Sequence, residues 1–308
     1  MKNRIYREGV PQHVYFRGKG GGIIFYCIQD CIFFITLYTC LAEKYGITTT
    51  AFSLMPNHSH SQQSAVDRHS FTGFNREFSS TCTRAYNRWH KRRGELFDNP
   101  FGSASKGTGK LVKNNLSYIC NNGAEGKLSK GVLDYRWNLM AYYLTPSPFS
   151  GKIRRDTVSK RLMDSVKMVD YFRDSGRPLG YETQERLFKR LDKGERKQLT
   201  DYILFKYNPL DYNGIISVFG SFEKALAGME ANCGSEYDLK EDWDDYSVYS
   251  KMVEAVRKKR IDLVNVNFET MDAGKLYSLR LYLKQTTRAT DRQLDKFLHM
   301  NMANEKSL

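Results

Sequence analysis

The sequence contains 308 residues, of which 41% are apolar and 27% are charged, and its formal net charge is +14. This length fits one large domain or a domain joined to a second unit, with enough apolar residues for a buried core. The six cysteines form no Cys-x-x-Cys pair, which argues against a zinc ribbon or a disulfide framework. We therefore expect reduced thiols and a cytoplasmic location.

The basic excess indicates the kind of partner to expect. A charge of this size attracts polyanions, and nucleic acid is the commonest such partner. An anionic membrane surface and a simple contribution to solubility are the alternatives. Residues 23–42 approach membrane-span length, but an aspartate inside a span costs roughly 2.5–3.5 kcal/mol. Because Asp30 interrupts this segment, we predict a buried amphipathic helix with Asp30 facing away from its apolar side, and no membrane partner.

The hydrophobic patterns of the first half predict, in order, a strand, a helix, two strands, a helix, a loop or short strand, and a helix. These elements are expected at residues 10–17, 26–45, 47–54, 58–63, 68–91, 97–105 and 110–122. This order around one sheet predicts an α+β fold of ferredoxin-like type, with an antiparallel sheet and helices on one face.

The second half of the chain is predicted to be a mostly helical C-terminal region. The Pro-Ser-Pro sequence at 146–148 marks the expected domain boundary, which gives domains at 1–148 and 149–308. Two helical stretches joined by a polar turn within residues 276–300 have the order and spacing of a helix-turn-helix unit. DNA binding by this unit is one interpretation, and packing or dimerisation is the other. The long C-terminal region favours a monomer over a homodimer.

Two pairs of residues suggest chemistry. His58 and His60 alternate in a predicted strand, so both imidazoles lie on one face and can chelate a divalent cation. Tyr118 and Asn122 are four residues apart in a predicted helix and share a face. Asparagine offers an amide oxygen that Mg²⁺ or Mn²⁺ accepts, and tyrosine offers a hydroxyl that can attack. Each pair alone also fits ordinary surface or core-edge residues.

These groups would complement one another on a phosphodiester. A divalent cation neutralises a non-bridging phosphate oxygen, which otherwise repels a nucleophile. A tyrosine hydroxyl, with an ordinary pKa near 10, is a poor nucleophile but a tolerable leaving group. A covalent phosphotyrosine bond is therefore reversible and conserves the energy needed for rejoining.

Several segments within about residues 10–145 resemble the HUH-type single-tyrosine transposases, and more closely their REP-associated tyrosine transposase branch. The most specific ones are His-Val-Tyr-Phe-Arg-Gly at 13–18, Ala-Phe-Ser-Leu-Met-Pro-Asn-His-Ser-His at 51–60 and Leu-Ser-Tyr-Ile-Cys-Asn-Asn at 116–122. Further similar segments lie at 24–33, 45–47, 86–97 and 135–138. The chain departs from the family pattern at Ser59, at the polar run 61–64 and at Gly123.

The resemblance implies that residues 1–148 are a catalytic nuclease domain. It implies a metal ion, Mg²⁺ or Mn²⁺, held by His58, His60 and Asn122, with Tyr118 as the nucleophile. It also implies single-stranded, hairpin-bearing DNA as the substrate, cut to a 5′-phosphotyrosine and a free 3′ hydroxyl. From the basic residues and one aromatic we expect DNA contacts at Arg17, Arg84, Arg88, Trp89, Lys91, Arg92, Arg93 and Lys106, with bases stacking on Trp89.

Two other functions fit the same residues. A domesticated hairpin-binding protein that no longer cuts would need only the basic surface and the C-terminal helices. A metal-dependent phosphodiesterase that activates water would need the metal but not Tyr118, and it would leave no covalent adduct.

Overall fold

The fold is taken from a computed structural model, which describes residues 6–154, 158–231, 245–263 and 266–300. Four strands form one antiparallel sheet in the order β2–β3–β1–β4. They are β1 (Gln12–Arg17), β2 (Thr48–Met55), β3 (His58–Ser64) and β4 (Gly102–Ser105). The predicted α+β fold with a ferredoxin-like sheet is confirmed, because the chain runs β-α-β-β-α-β and inserts β3 between β1 and β2.

Eleven α-helices are present among the described residues, three of them before residue 148. The N-terminal helices are α1 (Ile28–Tyr45), α2 (Arg68–Trp89) and α3 (Gly109–Glu125). The later ones are α4 (Lys160–Asp174), α5 (Tyr181–Phe188), α6 (Lys193–Lys206), α7 (Tyr212–Phe219), α8 (Phe222–Ala231), α9 (Ser247–Lys258), α10 (Ala273–Thr287) and α11 (Asp291–Leu298). The mostly helical C-terminal region is thus confirmed.

The two faces of the sheet are covered by different helices. On one face, the ring of Phe16 lies 4.9 Å from that of Phe78 on α2, and α1 packs beside it. Side chains alternate along a strand, so the histidines of β3 lie on the opposite face. Helix α3 covers that second face, where the Asn115 amide donates to Gln62 at 2.7 Å. α1 and α2 therefore share one face and α3 lies on the other, so the helices are not confined to one face of the sheet as the sequence analysis expected.

The polar composition of β3 is matched by buried amide pairs. The Asn75 amide on α2 donates to Gln63 at 3.0 Å, and Gln62 donates to Thr50 at 2.9 Å. Buried polar groups with such partners cost little, whereas unpaired ones are expensive. On the core face, Ser61 lies opposite Phe52 of β2. Small side chains on the central strand thus leave room for the aromatic rings of its neighbours.

The prediction that Asp30 faces away from the apolar side of α1 is wrong. Its carboxylate is buried at the start of α1 and accepts hydrogen bonds from the backbone N–H groups of Tyr26 and Cys27. The imidazole of His90 and the hydroxyl of Tyr181 also contact it, at 2.8 and 3.0 Å. These partners compensate for burial of the charge. None of the helices within the described residues has the length and apolar character needed to cross a membrane.

The C-terminal helices share hydrophobic cores with the first 148 residues. Helices α7 and α8 contribute to the core that contains the sheet, and α4–α6 pack against Ile32 and Cys40 of α1. Helices α9–α11 enclose Ile23 and Tyr26. The described part of 149–308 is therefore packed onto the sheet domain along several surfaces.

Helix α11, the second helix of the predicted helix-turn-helix unit, is largely buried. Its Leu294, Phe297 and Leu298 lie in the core shared with Tyr26, whose hydroxyl donates to the Phe297 carbonyl at 2.6 Å. Packing, one of the two interpretations of this unit, accounts for the apolar face of α11.

Candidate metal and nucleophile site

His58 and His60 share the face of β3 that α3 covers. Their rings lie 4.7 Å apart at 81°. On β1, the register partner of His58 is Arg17 and that of His60 is Tyr15. The alternation expected from the sequence therefore places the two imidazoles side by side in the middle of the sheet.

The hydrogen bonds of His58 determine which ring nitrogen is available. Its Nδ1 lies 2.6 Å from the side-chain oxygen of Asn57. The Asn57 amide nitrogen donates to the Gly21 carbonyl at 2.9 Å, which leaves the amide oxygen to accept from His58. Nδ1 of His58 is therefore protonated, and Nε2 keeps the lone pair that a metal ion needs.

A third histidine, His13 on β1, belongs to the site and was not among the predicted site residues. Its Nε2 lies 2.8 Å from Nδ1 of His60, although the two residues are 47 positions apart in the chain. This contact engages Nδ1 of His60. In the tautomer in which Nδ1 donates to His13, Nε2 of His60 keeps the lone pair that a metal ion would need, as in His58. The sequence shows that His13, Tyr15 and Arg17 alternate along one strand and therefore share a face. The sequence does not show that this face adjoins His60, because that depends on the register between β1 and β3.

All three imidazoles are neutral at physiological pH. Burial lowers the pKa of His60 to about 3, and burial also places the pKa values of His13 and His58 well below the ordinary value. Nearby positive charge on Arg17 lowers the pKa of His58 further. A neutral imidazole is the form that binds metal ions, so this cluster is in its ligand form.

Tyr118 extends from α3 toward the histidines. Its ring centroid lies 5.7 Å from that of His60 and 6.1 Å from that of His13. Burial raises the pKa of Tyr118 to about 12, with a smaller contribution from the carboxylate of Glu125. The hydroxyl is therefore protonated at neutral pH, and a role as nucleophile would require a neighbouring positive charge or base that favours the phenolate.

Asn122, one helical turn beyond Tyr118, is the predicted third ligand. It is 5% exposed, and its amide nitrogen has no hydrogen-bond partner among the described residues. The buried amide nitrogen calls for a hydrogen-bond acceptor, and the amide oxygen is the atom type that the hard cations Mg²⁺ and Mn²⁺ accept. Within the described ranges no group of three or more His, Cys, Asp and Glu side chains could hold a metal, and the ligand set of His58, His60 and Asn122 stays a prediction.

The predicted DNA-binding residues near the end of α2 have two different environments. Four of them are exposed: Arg84, Arg88, Lys91 and Arg93. Arg92, in contrast, forms an ion pair with Glu269 at 2.8 Å and donates to Asn87 at 3.1 Å. The Arg92 guanidinium is therefore paired with groups of the protein itself.

The other three predicted DNA-binding residues lie in or near the core. The Trp89 indole is stacked on the Tyr181 ring, with centroids 5.2 Å apart and planes 10° apart, so one face of the expected base-stacking surface is already covered. Lys106 is only 2% exposed, and its charge contributes to the low pKa of His13. Arg17 lies beside His58 and contacts Asp98 at 3.9 Å.

Comparison of the chain with protein-family models, with curated proteins and with solved structures finds no match. The resemblance noted in the sequence stays a prediction. The chemistry of His58, His60, Tyr118 and their neighbours is therefore the basis for the function proposed below.

Proposed function

We propose that this protein is a metal-dependent endonuclease and transposase of single-stranded, hairpin-bearing DNA that acts through a 5′-phosphotyrosine. The proposal rests on the position of Tyr118, whose ring lies next to His60 in the cluster that also contains His58. Both histidines are neutral, and the Nδ1 atom of each is within hydrogen-bond distance of a neighbouring side chain. A water-activating enzyme would have no need for a tyrosine on the helix that covers the metal ligands. The net charge of +14 and the exposed basic end of α2 suit a polyanionic substrate.

The proposed reaction is a transesterification. The Tyr118 oxygen forms a bond to phosphorus while the bond from phosphorus to the 3′ oxygen breaks. The proton lost by the tyrosine is balanced by the proton that the leaving 3′ oxygen takes up. Rejoining is the reverse attack by a 3′ hydroxyl, which releases the tyrosine.

The ligand residues fit a divalent cation, which when bound neutralises a non-bridging phosphate oxygen and favours the phenolate over the phenol. His58, His60 and Asn122 would hold it. Asn57 and His13 orient the two imidazoles through their Nδ1 atoms. Helix α3, anchored to the sheet by the hydrogen bond between Asn115 and Gln62, holds the tyrosine over the cluster.

The test is a search for a covalent protein–DNA band on a denaturing gel. The protein is incubated with hairpin-bearing single-stranded DNAs and Mg²⁺ or Mn²⁺. We expect an adduct that needs the metal and is lost in Tyr118→Phe but kept in Tyr277→Phe, a matched change of an exposed tyrosine. Cleavage without an adduct would instead identify a water-activating phosphodiesterase. Tight binding without cleavage would identify a hairpin-binding protein.

A second variant separates chemistry from binding. His58→Ala should abolish cleavage and retain most of the DNA affinity, because the exposed basic residues lie at the end of α2. An equal loss of affinity would contradict this division between the metal site and the DNA-binding surface.

A further inference from the structure

Helix α9 begins beside the histidine cluster and ends at a group of basic residues. Tyr246 directly precedes the helix, and its ring lies 6.0 Å from that of His58, with 61° between the ring planes. The buried side of α9, which includes Met252 and Val256, packs into the core shared with α10 and α11. A helix of 12 residues is about 18 Å long, so the last turn of α9 lies about 18 Å from its first.

Four consecutive basic residues occupy the far end of α9, and all four are exposed: Arg257, Lys258, Lys259 and Arg260. Lys259 lies over the ring of Tyr282 on α10, with its Nζ atom 4.4 Å from the ring centroid. Within the described part of the chain, none of the four forms an ion pair. The charges of Arg257, Lys258 and Arg260 therefore face solvent and can meet a partner, unlike the charge of Arg92, which is paired with Glu269.

The helix dipole accounts for only part of this charge. Cationic side chains are favoured near the C-terminus of a helix, but the effect falls off within the last turn. Arg260 lies beyond that turn at φ +59°, the left-handed conformation in which glycine is favoured. From residue 247 to residue 260 there are five basic residues and one acidic residue, Glu254. The segment therefore carries more positive charge than the end of a helix requires.

The chain that follows α9 connects this basic group to the basic end of α2. The Asn267 side chain donates to the Lys91 carbonyl at 2.9 Å, and Glu269 forms its ion pair with Arg92. Asn267 is seven residues after Arg260, and seven residues span at most about 24 Å. The two basic ends are therefore neighbours, and the end of α2 is already expected to contact DNA.

The composition of the exposed surface indicates which form of DNA it suits. The exposed side chains of residues 250–260 are all polar or charged. Surfaces that bind single strands usually present aromatic rings on which the bases stack. In a duplex the bases stack on one another and the phosphates face outward, so a purely basic surface suits a duplex. A duplex rises 3.4 Å per base pair, so the length of α9 corresponds to about five base pairs.

We propose that Arg257, Lys258 and Arg260 bind backbone phosphates in the paired stem of the hairpin, about five base pairs from the strand held beside His58. Arginine and lysine are the usual partners of phosphate oxygens, and such contacts fix the position of a duplex without reading its sequence. Helix α9 then sets the distance between the stem and the cut strand. This inference rests on the proposed function, because it needs a hairpin whose unpaired strand lies at His58.

The experiment measures DNA binding without cleavage, in a Tyr118→Phe background with a chelator. Fluorescence anisotropy gives the affinity for three labelled DNAs of equal length and mixed sequence: a hairpin with a stem of about ten base pairs, one with a stem of about three, and an unpaired strand. The double change Lys258→Gln and Arg260→Gln should weaken binding of the long stem about tenfold at about 0.1 M salt, and it should lower the salt slope by about two. The short stem spans only about 10 Å, so its affinity and that of the unpaired strand should not change.

Two further double variants serve as controls. Lys258→Arg with Arg260→Lys keeps both charges and should bind the long stem as the parent does. Lys189→Gln with Arg190→Gln removes one lysine and one arginine from exposed positions at the end of α5, and it should leave all three affinities unaltered.

Several results would overturn the stem contact. An unchanged affinity for the long stem would remove this group from DNA binding, and an equal loss for all three DNAs would show that it does not select a stem. Binding to phosphatidylserine vesicles that is lost in the glutamine variant, with hairpin affinity kept, would identify an anionic lipid surface instead. Failure of the proposed function is distinguishable: a parent protein that binds the long stem through this group but forms no adduct would refute the nuclease and keep the contact. A parent protein that binds no hairpin would refute both.

Discussion

The buried histidine cluster predicts a steep loss of stability in acid, which can be measured on the metal-free protein. His13, His58 and His60 all have pKa values lowered by burial, that of His60 to about 3. The unfolded chain has ordinary histidines with pKa near 6.5. Below that pH the unfolded state binds protons that the folded state does not, so acid favours unfolding. Stability is greatest above pH 6.5 and is lost as the pH falls.

The size of the effect follows from this difference. Between pH 7 and about 5.5, each histidine that stays neutral in the fold lowers the free energy of unfolding by about 1.3 kcal/mol. Three such residues give about 4 kcal/mol, a large part of the 5–15 kcal/mol that stabilises a typical domain. A bound divalent cation would oppose this loss, because it binds only the neutral imidazoles of the folded state.

The assay is urea unfolding at both pH values in the presence of a chelator. His60→Gln should reduce the pH-dependent difference by about 1.3 kcal/mol, the share of one imidazole. His69→Gln, a change of an exposed histidine on α2, is the control and should leave the difference unaltered. If His60→Gln and the parent protein lose the same free energy on acidification, the neutral buried cluster is refuted.

Three further predictions concern single residues. Arg92→Ala should lower the free energy of unfolding by about 1–3 kcal/mol, because the ion pair and hydrogen bonds of Arg92 are internal. Arg93 is exposed, so Arg93→Ala should instead reduce the salt dependence of DNA binding. Equal effects of the two variants on unfolding and on DNA binding would contradict this assignment. Gly123→Ala should cost about 1–3 kcal/mol, since a Cβ there lies 2.3 Å from the Tyr135 ring, and an unchanged urea midpoint would refute it. Asn122→Ala should weaken Mn²⁺ binding about tenfold or more by calorimetry; equal affinity would remove it from the ligands.

Local patterns predicted the secondary structure well. The strand expected at 58–63 is β3 at His58–Ser64, and the helix expected at 68–91 is α2 at Arg68–Trp89. Gly46 ends α1 in the left-handed conformation, as a glycine at a helix end does. These signals depend on neighbouring residues and need no knowledge of the fold.

Interactions between distant segments account for what the patterns missed. Asp30 was expected to face away from the apolar side, but it is buried because His90 and Tyr181 bind its carboxylate. Trp89 was expected to stack on DNA bases, but one of its faces is covered by the same Tyr181. Tyr181 belongs to the C-terminal region, and no periodicity within α1 or α2 reveals that it reaches them.

The sequence by itself determined that His58 and His60 share one strand face, and that Tyr118 and Asn122 share one helix face, because periods of two and of about four residues are local properties. Only the tertiary structure decided that these two faces meet. The entry of His13 depends on the register of β1 against β3, and the stacking of Trp89 on Tyr181 depends on how the C-terminal region packs against α2. Both are set by packing between segments far apart in the chain, which a local pattern does not encode.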